Sequence, residues 1–93
     1  MSQINVKFFG YFREITGVAI VQLESENFHT VRDLLCEVVK RYPAIKDKLF
    51  EGENVMPFVK VLVNGLAIEV KEGLDTKVKP GDAIAIFPPV GGG

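Results

Sequence analysis

A single amphipathic helical pattern, set among segments that alternate as β-strands do, most constrains the fold of this 93-residue chain. Apolar residues recur at the spacing of one helix face, and they are Val31, Leu34, Leu35, Val38 and Tyr42. Thr30 and Asp33 form a start similar to a capping box, and Pro43 stops the helix. The sequence therefore predicts a helix over residues 30–42, and residues 44–50 are compatible with one more short helical turn.

Alternation of apolar and polar residues predicts strands on both sides of this helix. The predicted strands cover residues 4–8, 18–23, 59–63, 68–70 and 83–87. Residues 10–17 and 51–54 are interpreted as connections, and the Asn64-Gly65 pair suits a tight type I′ hairpin turn. One helix must then lie on one face of a small mixed sheet, because only that arrangement buries both apolar surfaces. The expected fold class is α+β, a β-grasp domain with a mixed sheet of about five strands packed on one main helix.

Strand parity places three large apolar residues on the face of the sheet opposite the helix. If Phe8 points toward the helix, Phe9 points away from it, and the same argument applies to Leu62 and Phe87. An exposed apolar patch of this kind often marks a surface that binds another protein. The alternatives are that the short helix or a loop covers these side chains, or that a β-bulge changes the parity.

The carboxyl-terminal segment is unusually thin and is predicted to be a flexible tail that follows a β-grasp domain of residues 1–87. It consists of Pro88, Pro89, Val90, Gly91, Gly92 and Gly93. Glycine has the smallest cross-section and the greatest backbone freedom, while consecutive prolines stiffen the exit from the sheet. Such a tail could thread into a narrow channel of a partner and present the carboxylate of Gly93. Frayed terminal residues or a remnant of an expression tag are the alternatives that the sequence leaves open.

The amino-acid composition excludes several classes of function. Eleven basic and twelve acidic residues give a net charge of −1, without the basic cluster of a nucleic-acid-binding surface. One cysteine, Cys36, and one histidine, His29, exclude an internal disulfide and a Cys- or His-rich metal site. We expect Cys36 to be packed rather than reactive. The sequence carries no recognisable signal peptide or membrane span, so a cytoplasmic protein that does not bind membranes is expected.

Three motifs resemble the MoaD family, the small sulfur-carrying subunits of molybdopterin synthase, which are ubiquitin-like proteins. Residues 6–17 (Val-Lys-Phe-Phe-Gly-Tyr-Phe-Arg-Glu-Ile-Thr-Gly) are similar to the aromatic strand and following turn of that family. Residues 61–65 (Val-Leu-Val-Asn-Gly) are similar to its Val-x-Val-Asn turn. The most specific motif begins at residues 80–82 (Pro-Gly-Asp) and ends at residues 87–93 (Phe-Pro-Pro-Val-Gly-Gly-Gly). The resemblance extends over essentially the whole chain.

The resemblance implies that the protein is a cosubstrate rather than a catalyst, with the catalytic residues on its partners. An E1-like activating enzyme would adenylate the Gly93 carboxylate with ATP, and a sulfur donor protein would convert it into a thiocarboxylate. The tail would then enter the large molybdopterin synthase subunit and give sulfur to cyclic pyranopterin monophosphate, on the route to the molybdenum or tungsten cofactor. The chain itself would bind no cofactor. Phe9 and Phe87 match aromatic contact positions of the family, whereas Leu62 is assigned to the partner surface by strand parity.

Two other functions stay open at this point. A ubiquitin-like sulfur carrier for tRNA or thiamin, or a protein modifier, would share the fold, the Gly-Gly end and the activation step. A passive β-grasp interaction module would instead tolerate an added carboxyl-terminal residue, whereas a carrier would lose its transfer activity.

Overall fold

The computed structural model describes residues 3–24, 26 and 28–89 of the chain. Its strands are β1 (Gln3–Phe8), β2 (Ile20–Glu24), β3 (Phe50–Glu51), β4 (Asn54–Val55), β5 (Lys60–Val63), β6 (Leu66–Ala67) and β7 (Ala83–Phe87). Its helices are α1 (Tyr11–Thr16), α2 (Val31–Arg41) and α3 (Lys46–Leu49). Short 3-10 turns cover Pro43–Ile45, Ile68–Val70 and Gly73–Asp75.

Helix α2 is the helix predicted from the apolar stripe, and two reciprocal hydrogen bonds set its start. The N–H of Asp33 donates to Thr30 Oγ1 at 3.3 Å, while Asp33 Oδ2 accepts from the N–H of Thr30 at 3.2 Å. This capping box satisfies amides that have no partner within the helix. The fully buried side chains of α2 are Val31, Leu34, Leu35 and Val38. The predicted helix is confirmed, and its apolar stripe forms one wall of the core.

The main sheet has five strands in the order β2-β1-β7-β5-β6. The central strand β7 runs parallel to β1, whereas every other neighbouring pair in this sheet is antiparallel. Strands β3 and β4 form a separate small hairpin. The core-facing residues alternate along the central strands, with Val6, Phe8, Ile84 and Ile86 all buried. This mixed sheet packed on one long helix confirms the α+β, β-grasp fold class.

The prediction of a simple connection at residues 10–17 is wrong, because residues 11–16 form α1. A six-residue helix is not stable in isolation. The burial of the Phe12 side chain in the core therefore stabilises α1. Gly17 ends α1 at φ 79°, with its N–H donating to the carbonyl of Arg13 at 2.9 Å. Such a left-handed residue at the end of a helix is commonly glycine.

The predicted return strand at residues 68–70 is also wrong, since β6 consists of Leu66–Ala67. Asn64 (φ 51°) and Gly65 (φ 88°) form the predicted tight turn with two positive φ angles. That turn pairs Leu66 with Val63 directly. The chain then leaves the sheet in a 3-10 turn that buries Ile68. Residues 51–54 differ from the expected plain loop as well, because they include parts of β3 and β4.

The side chain of Asn64 ties this turn to the start of β7. Its Nδ2 donates to Asp82 Oδ1 at 2.9 Å, and its Oδ1 accepts from the N–H of Ala83 at 2.9 Å. The second carboxylate oxygen of Asp82 accepts from the N–H of Lys79 at 2.8 Å. Asp82 is only 7% exposed. Two of the sequence motifs therefore meet in one hydrogen-bonded cluster, which fixes the point where β7 begins.

Strand β7 ends at Phe87, and the described chain continues through Pro88 and Pro89. The division into a domain of residues 1–87 and a tail of residues 88–93 stays a prediction, because residues 90–93 lie outside the described residues. Within the described ranges, no helix has the length and apolar character that are needed to cross a membrane.

Candidate functional site

Two phenylalanine rings stack on the face of the sheet opposite α2. The ring centroids of Phe9 and Phe87 are 4.2 Å apart, and the ring planes differ by 10°. The parallel pairing of β1 with β7 produces this contact, since Phe8 lies across from Ile86 and the N–H of Phe9 donates to the Ile86 carbonyl at 3.2 Å. Phe8 and Ile86 point into the core, so the next residue on each strand points outward. Phe9 is 37% exposed, and the stacked pair therefore presents an accessible apolar surface beside the end of β7.

Leu62 extends this surface onto the neighbouring strand. It lies across from Ala85 on one side and Ala67 on the other, and it is half-buried. Diagonal neighbours on one face of a sheet are about 7–8 Å apart, which brings Leu62 near Phe87. The structure thus places Phe9, Leu62 and Phe87 on one face, and we call these three residues the apolar face. Their role in binding a partner stays a prediction.

Two lysines flank the apolar face. Lys7 lies across from Ala85 and is exposed, while Lys60 lies across from Phe87. Lys60 Nζ is 3.3 Å from Glu69 Oε2, and both side chains are more than half exposed. An exposed ion pair of this kind contributes at most about 1 kcal/mol. Lys60 can therefore exchange Glu69 for a carboxylate of another protein at little cost.

Pro88 is in close contact with Gly10 at the point where the chain leaves β7. A Cβ atom on Gly10 would lie 2.5 Å from Pro88 Cγ and 3.2 Å from Pro88 Cδ, and the shorter distance is one that real side chains do not show. Gly10 also has φ 56° and ψ −136°, a conformation that suits glycine. Glycine at this position therefore lets the proline ring pack on the backbone, which sets the direction in which the chain leaves the sheet. The predicted site residues beyond this point lie outside the described residues, and they are Val90, Gly91, Gly92 and Gly93.

Phe58 is a further candidate residue that sequence reasoning missed. The N–H of Val59 donates to the carbonyl of Met56 at 3.2 Å and closes a β-turn with Pro57 and Phe58 at its centre. Phe58 has φ 69°, as the third position of a type II turn requires, and glycine or asparagine is preferred there. A side chain at such a position costs about 1–2 kcal/mol. The ring is nevertheless 80% exposed. The one available sequence signal is Pro57, which favours the second position of a turn.

Other chemistry-bearing residues are separate from this surface. Cys36 is exposed on α2, so the expectation that it is packed is wrong, because it lies outside the buried stripe of that helix. Across the described part of the chain, no group of three or more His, Cys, Asp or Glu side chains could hold a metal ion.

The fold is a β-grasp domain, and its last strand runs beside the apolar face into a segment of two prolines followed by a glycine-rich sequence. This combination is typical of the class of ubiquitin-like sulfur carriers. The chain belongs to the ThiS family, whose family profile matches residues 6–93. This match includes both the apolar face and the whole carboxyl-terminal segment.

Individual relatives confirm this class and the resemblance to the MoaD family. The chain is 34% identical over 91 residues to small archaeal modifier protein 3 of Haloferax volcanii, covering 98% of this chain and 99% of that protein. It is 33% identical over 92 residues to the molybdopterin synthase sulfur carrier subunit of Haemophilus influenzae, covering 97% and 99% respectively. The solution structure of small archaeal modifier protein 1 from Methanosarcina acetivorans superposes with a TM-score of 0.87 at 34% identity, covering 100% of this chain and 98% of that one. Members of this class work with partner enzymes, and the H. influenzae relative is by name a subunit of molybdopterin synthase.

Proposed function

We propose that the chain is a cytoplasmic sulfur carrier for molybdopterin biosynthesis, with the Gly93 carboxylate as its functional group. The observation that carries the proposal is the exit of the chain at Pro88, which packs against Gly10 at the end of the strand that holds Phe87. A rigid exit beside an apolar face allows one partner surface to bind the domain and receive the chain end together. The likeness to the H. influenzae sulfur carrier subunit over nearly the full length of both chains supports the choice of molybdopterin.

In the proposed mechanism, an E1-like enzyme first joins the Gly93 carboxylate to AMP and releases pyrophosphate from ATP. A carboxylate is a poor electrophile, and the acyl-adenylate supplies the leaving group that it lacks. The terminal sulfur of a persulfide on a donor protein then attacks the carbonyl carbon and displaces AMP. A second thiol then attacks the donor's cysteine sulfur in the resulting acyl disulfide. This thiol is oxidised to a disulfide with that cysteine, and a thiocarboxylate is left on Gly93.

The charged chain end then enters the large molybdopterin synthase subunit. There the thiocarboxylate sulfur attacks a side-chain carbon of cyclic pyranopterin monophosphate and displaces the oxygen bonded to that carbon. Water then cleaves the bond between the Gly93 carbonyl and the sulfur, which leaves the sulfur on the pterin and returns Gly93 to a carboxylate. The apolar face holds the domain on each partner during its step, and the partners supply the acids and bases. No cofactor has to be bound by the carrier itself, because ATP is used by the activating enzyme.

A second candidate function uses the same activated carboxylate with a different acceptor. The 34% identity to small archaeal modifier protein 3 favours a protein modifier, in which a lysine amine attacks the activated Gly93 carbonyl to form an isopeptide bond. Sulfur carriage to tRNA or thiamin belongs to the same group of candidates. These functions share the activation step with molybdopterin synthesis and differ only in the acceptor.

Reconstitution with both kinds of acceptor distinguishes the two candidates. The chain is incubated with ATP, the E1-like enzyme, a persulfide donor and the large synthase subunit, with cyclic pyranopterin monophosphate present and a lysine-rich protein extract in a parallel reaction. We expect molybdopterin from the intact chain and none from a chain that lacks Gly93. Isopeptide conjugates without molybdopterin, in a reaction where the H. influenzae carrier does produce molybdopterin with its own synthase, would favour the modifier instead.

A further inference from the structure

Phe58 combines an unfavourable backbone conformation with an exposed aromatic ring. Its φ is 69°, in the region that favours glycine, and a bulky aromatic residue there is an outlier. The side chain is 80% exposed, so burial within the chain does not compensate for this conformation. The neighbouring Val59 is 3% exposed and anchors the turn in the core without the ring. Strained residues of this kind cluster at sites that bind other molecules, which makes the Phe58 ring a candidate contact.

The same turn borders an apolar cavity of about 300 Å³ that opens to solvent. The floor of the cavity consists of the buried side chains Val59, Val61 and Ile68. Two half-buried apolar residues, Val55 and Leu74, line it as well. An apolar cavity of about 150 Å³ is large enough to hold benzene. This cavity can therefore accept an aromatic side chain.

An exposed ring and a cavity that suits it thus lie side by side on one chain. Phe58 is itself one of the residues that line the cavity, yet its side chain stays 80% exposed and does not fill it. In two identical chains related by a two-fold axis, any contact between different residues is made twice, once in each direction. The ring of each chain can then enter the cavity of the other, which buries both rings.

The charges beside the cavity are self-complementary in the same way. Glu69 lines the cavity, and its Oε2 lies 3.3 Å from Lys60 Nζ. Both side chains are more than half exposed, so their ion pair adds little to the stability of one chain. Lys60 of each copy can pair with Glu69 of the other at little cost. Charges of one sign would repel a second copy, so the presence of both signs at this site favours a second copy as the occupant.

We propose that this surface is a site of self-association, in which Phe58 of each chain enters the cavity of a second copy. The inference is independent of the proposed function, because the Gly93 carboxylate takes no part in it. An aromatic side chain buries about 150–250 Å². Two rings and the cavity walls around them therefore fall below the roughly 1,200 Å² of a stable interface. The dimer is accordingly weak, and its population depends on the protein concentration.

Sedimentation equilibrium of the full chain between about 10 µM and about 1 mM measures the dimer dissociation constant. Phe58→Gly removes both rings from the dimer and should raise this constant about ten-fold or more, as for an aromatic anchor of an interface. Glycine also relieves the strain at positive φ, so the unfolding midpoint of the dilute variant should equal or exceed that of the wild type. Leu66 is 54% exposed and is not among the residues that line this cavity, so Leu66→Ser should leave the dissociation constant unchanged.

Two charge-reversal variants test the exchange of partners between copies. Lys60→Glu and Glu69→Lys each bring like charges together in their own dimer, so each alone should associate at least about five-fold more weakly than the wild type. In an equimolar mixture, the two carboxylates of the first variant face the two amines of the second. The mixture should therefore form a heterodimer with about the wild-type dissociation constant.

Three results would overturn the proposal, and none of them bears on the proposed function. The first is a wild-type chain that stays monomeric up to about 1 mM. The second is a dimer whose dissociation constant is the same in Phe58→Gly, or a mixture of the charge variants that associates no better than either alone. The third is a monomeric chain whose cavity binds toluene, seen as shifts of the Ile68 and Leu74 methyl signals, since the cavity would then be a site for a small apolar ligand.

Discussion

Substitution of Gly10 by alanine tests whether the exit of the tail is fixed by the Pro88 contact. The added Cβ would lie 2.5 Å from Pro88 Cγ, and both Cγ and Cδ of that ring would have to move. Gly17 offers a matched control, because it too has a positive φ (79°) but has nothing within 4 Å of its added Cβ. Gly17→Ala therefore measures only the cost of a Cβ atom at a positive φ, whereas Gly10→Ala adds a clash with the Pro88 ring.

The two substitutions should differ clearly in their effect on the free energy of unfolding. Gly17 is in the left-handed helical region (ψ 3°), where alanine costs about 1–2 kcal/mol. Gly10 (ψ −136°) lies outside that region, in a conformation nearly restricted to glycine, which costs about 1–3 kcal/mol. Overlap with Pro88 adds about 1–3 kcal/mol, as for other overpacked sites. Gly10→Ala should therefore destabilise the domain by roughly 2–6 kcal/mol, out of a total of about 5–15 kcal/mol.

A double-mutant cycle with Pro88→Ala isolates the contact. Alanine at position 88 removes Cγ and Cδ and keeps Cβ, which is 3.8 Å from the added atom and in ordinary contact. Urea denaturation of the single and double variants should give a favourable coupling of about 1–3 kcal/mol, so that Pro88→Ala partly rescues Gly10→Ala. A coupling below about 0.5 kcal/mol, the range of independent sites, would refute the contact.

Two further predictions concern hydrogen bonds that hold the scaffold. Asn64→Gly keeps the positive φ but removes the hydrogen-bond donor to Asp82, which is only 7% exposed. Urea denaturation should therefore show a loss of about 1–3 kcal/mol in the free energy of unfolding. A free energy of unfolding equal to that of the wild type would contradict this role. The N–H of His29 donates to the Asp33 carboxylate at 3.0 Å and lowers the pKa of Asp33 below its ordinary value of 3.8. The ionised carboxylate therefore stabilises the fold fully above pH 3.8, and this contribution is lost as the pH falls through the lower pKa of the folded state. Asp33→Asn should remove that part of the acid dependence in a series of unfolding curves between about pH 2 and pH 6, and an unchanged acid dependence would exclude Asp33 as its source.

The sequence predicts the parts of the fold that depend on local pattern. The stripe from Val31 to Tyr42 and the capping pair Thr30–Asp33 are local signals, and α2 begins and ends where they indicate. The outward placement of Phe9 and Phe87 also follows from period-2 alternation alone, because no bulge interrupts the pairing of β1 with β7.

The remaining features depend on contacts between distant parts of the chain. Helix α1 exists because Phe12 is buried by the rest of the domain, and six residues carry too little helical preference to predict it. The close approach of Gly10 to Pro88 joins residues near the two ends of the chain. Phe58 occupies a turn position that glycine usually fills, so turn propensities do not predict the turn from this sequence. They also give no indication that the ring is exposed.

The most direct test of the sulfur-carrier account is mass spectrometry of the carboxyl-terminal tryptic peptide after incubation with ATP, the E1-like enzyme and a persulfide donor. Cleavage after Lys77 gives a peptide that begins at Val78 and contains no Met or Cys, so oxidation of those residues cannot mimic the exchange of oxygen for sulfur. The account predicts replacement of one Gly93 oxygen by sulfur, and no such product when ATP is omitted. An unmodified carboxylate, in a reaction where the same enzyme and donor thiocarboxylate an established carrier, would contradict it.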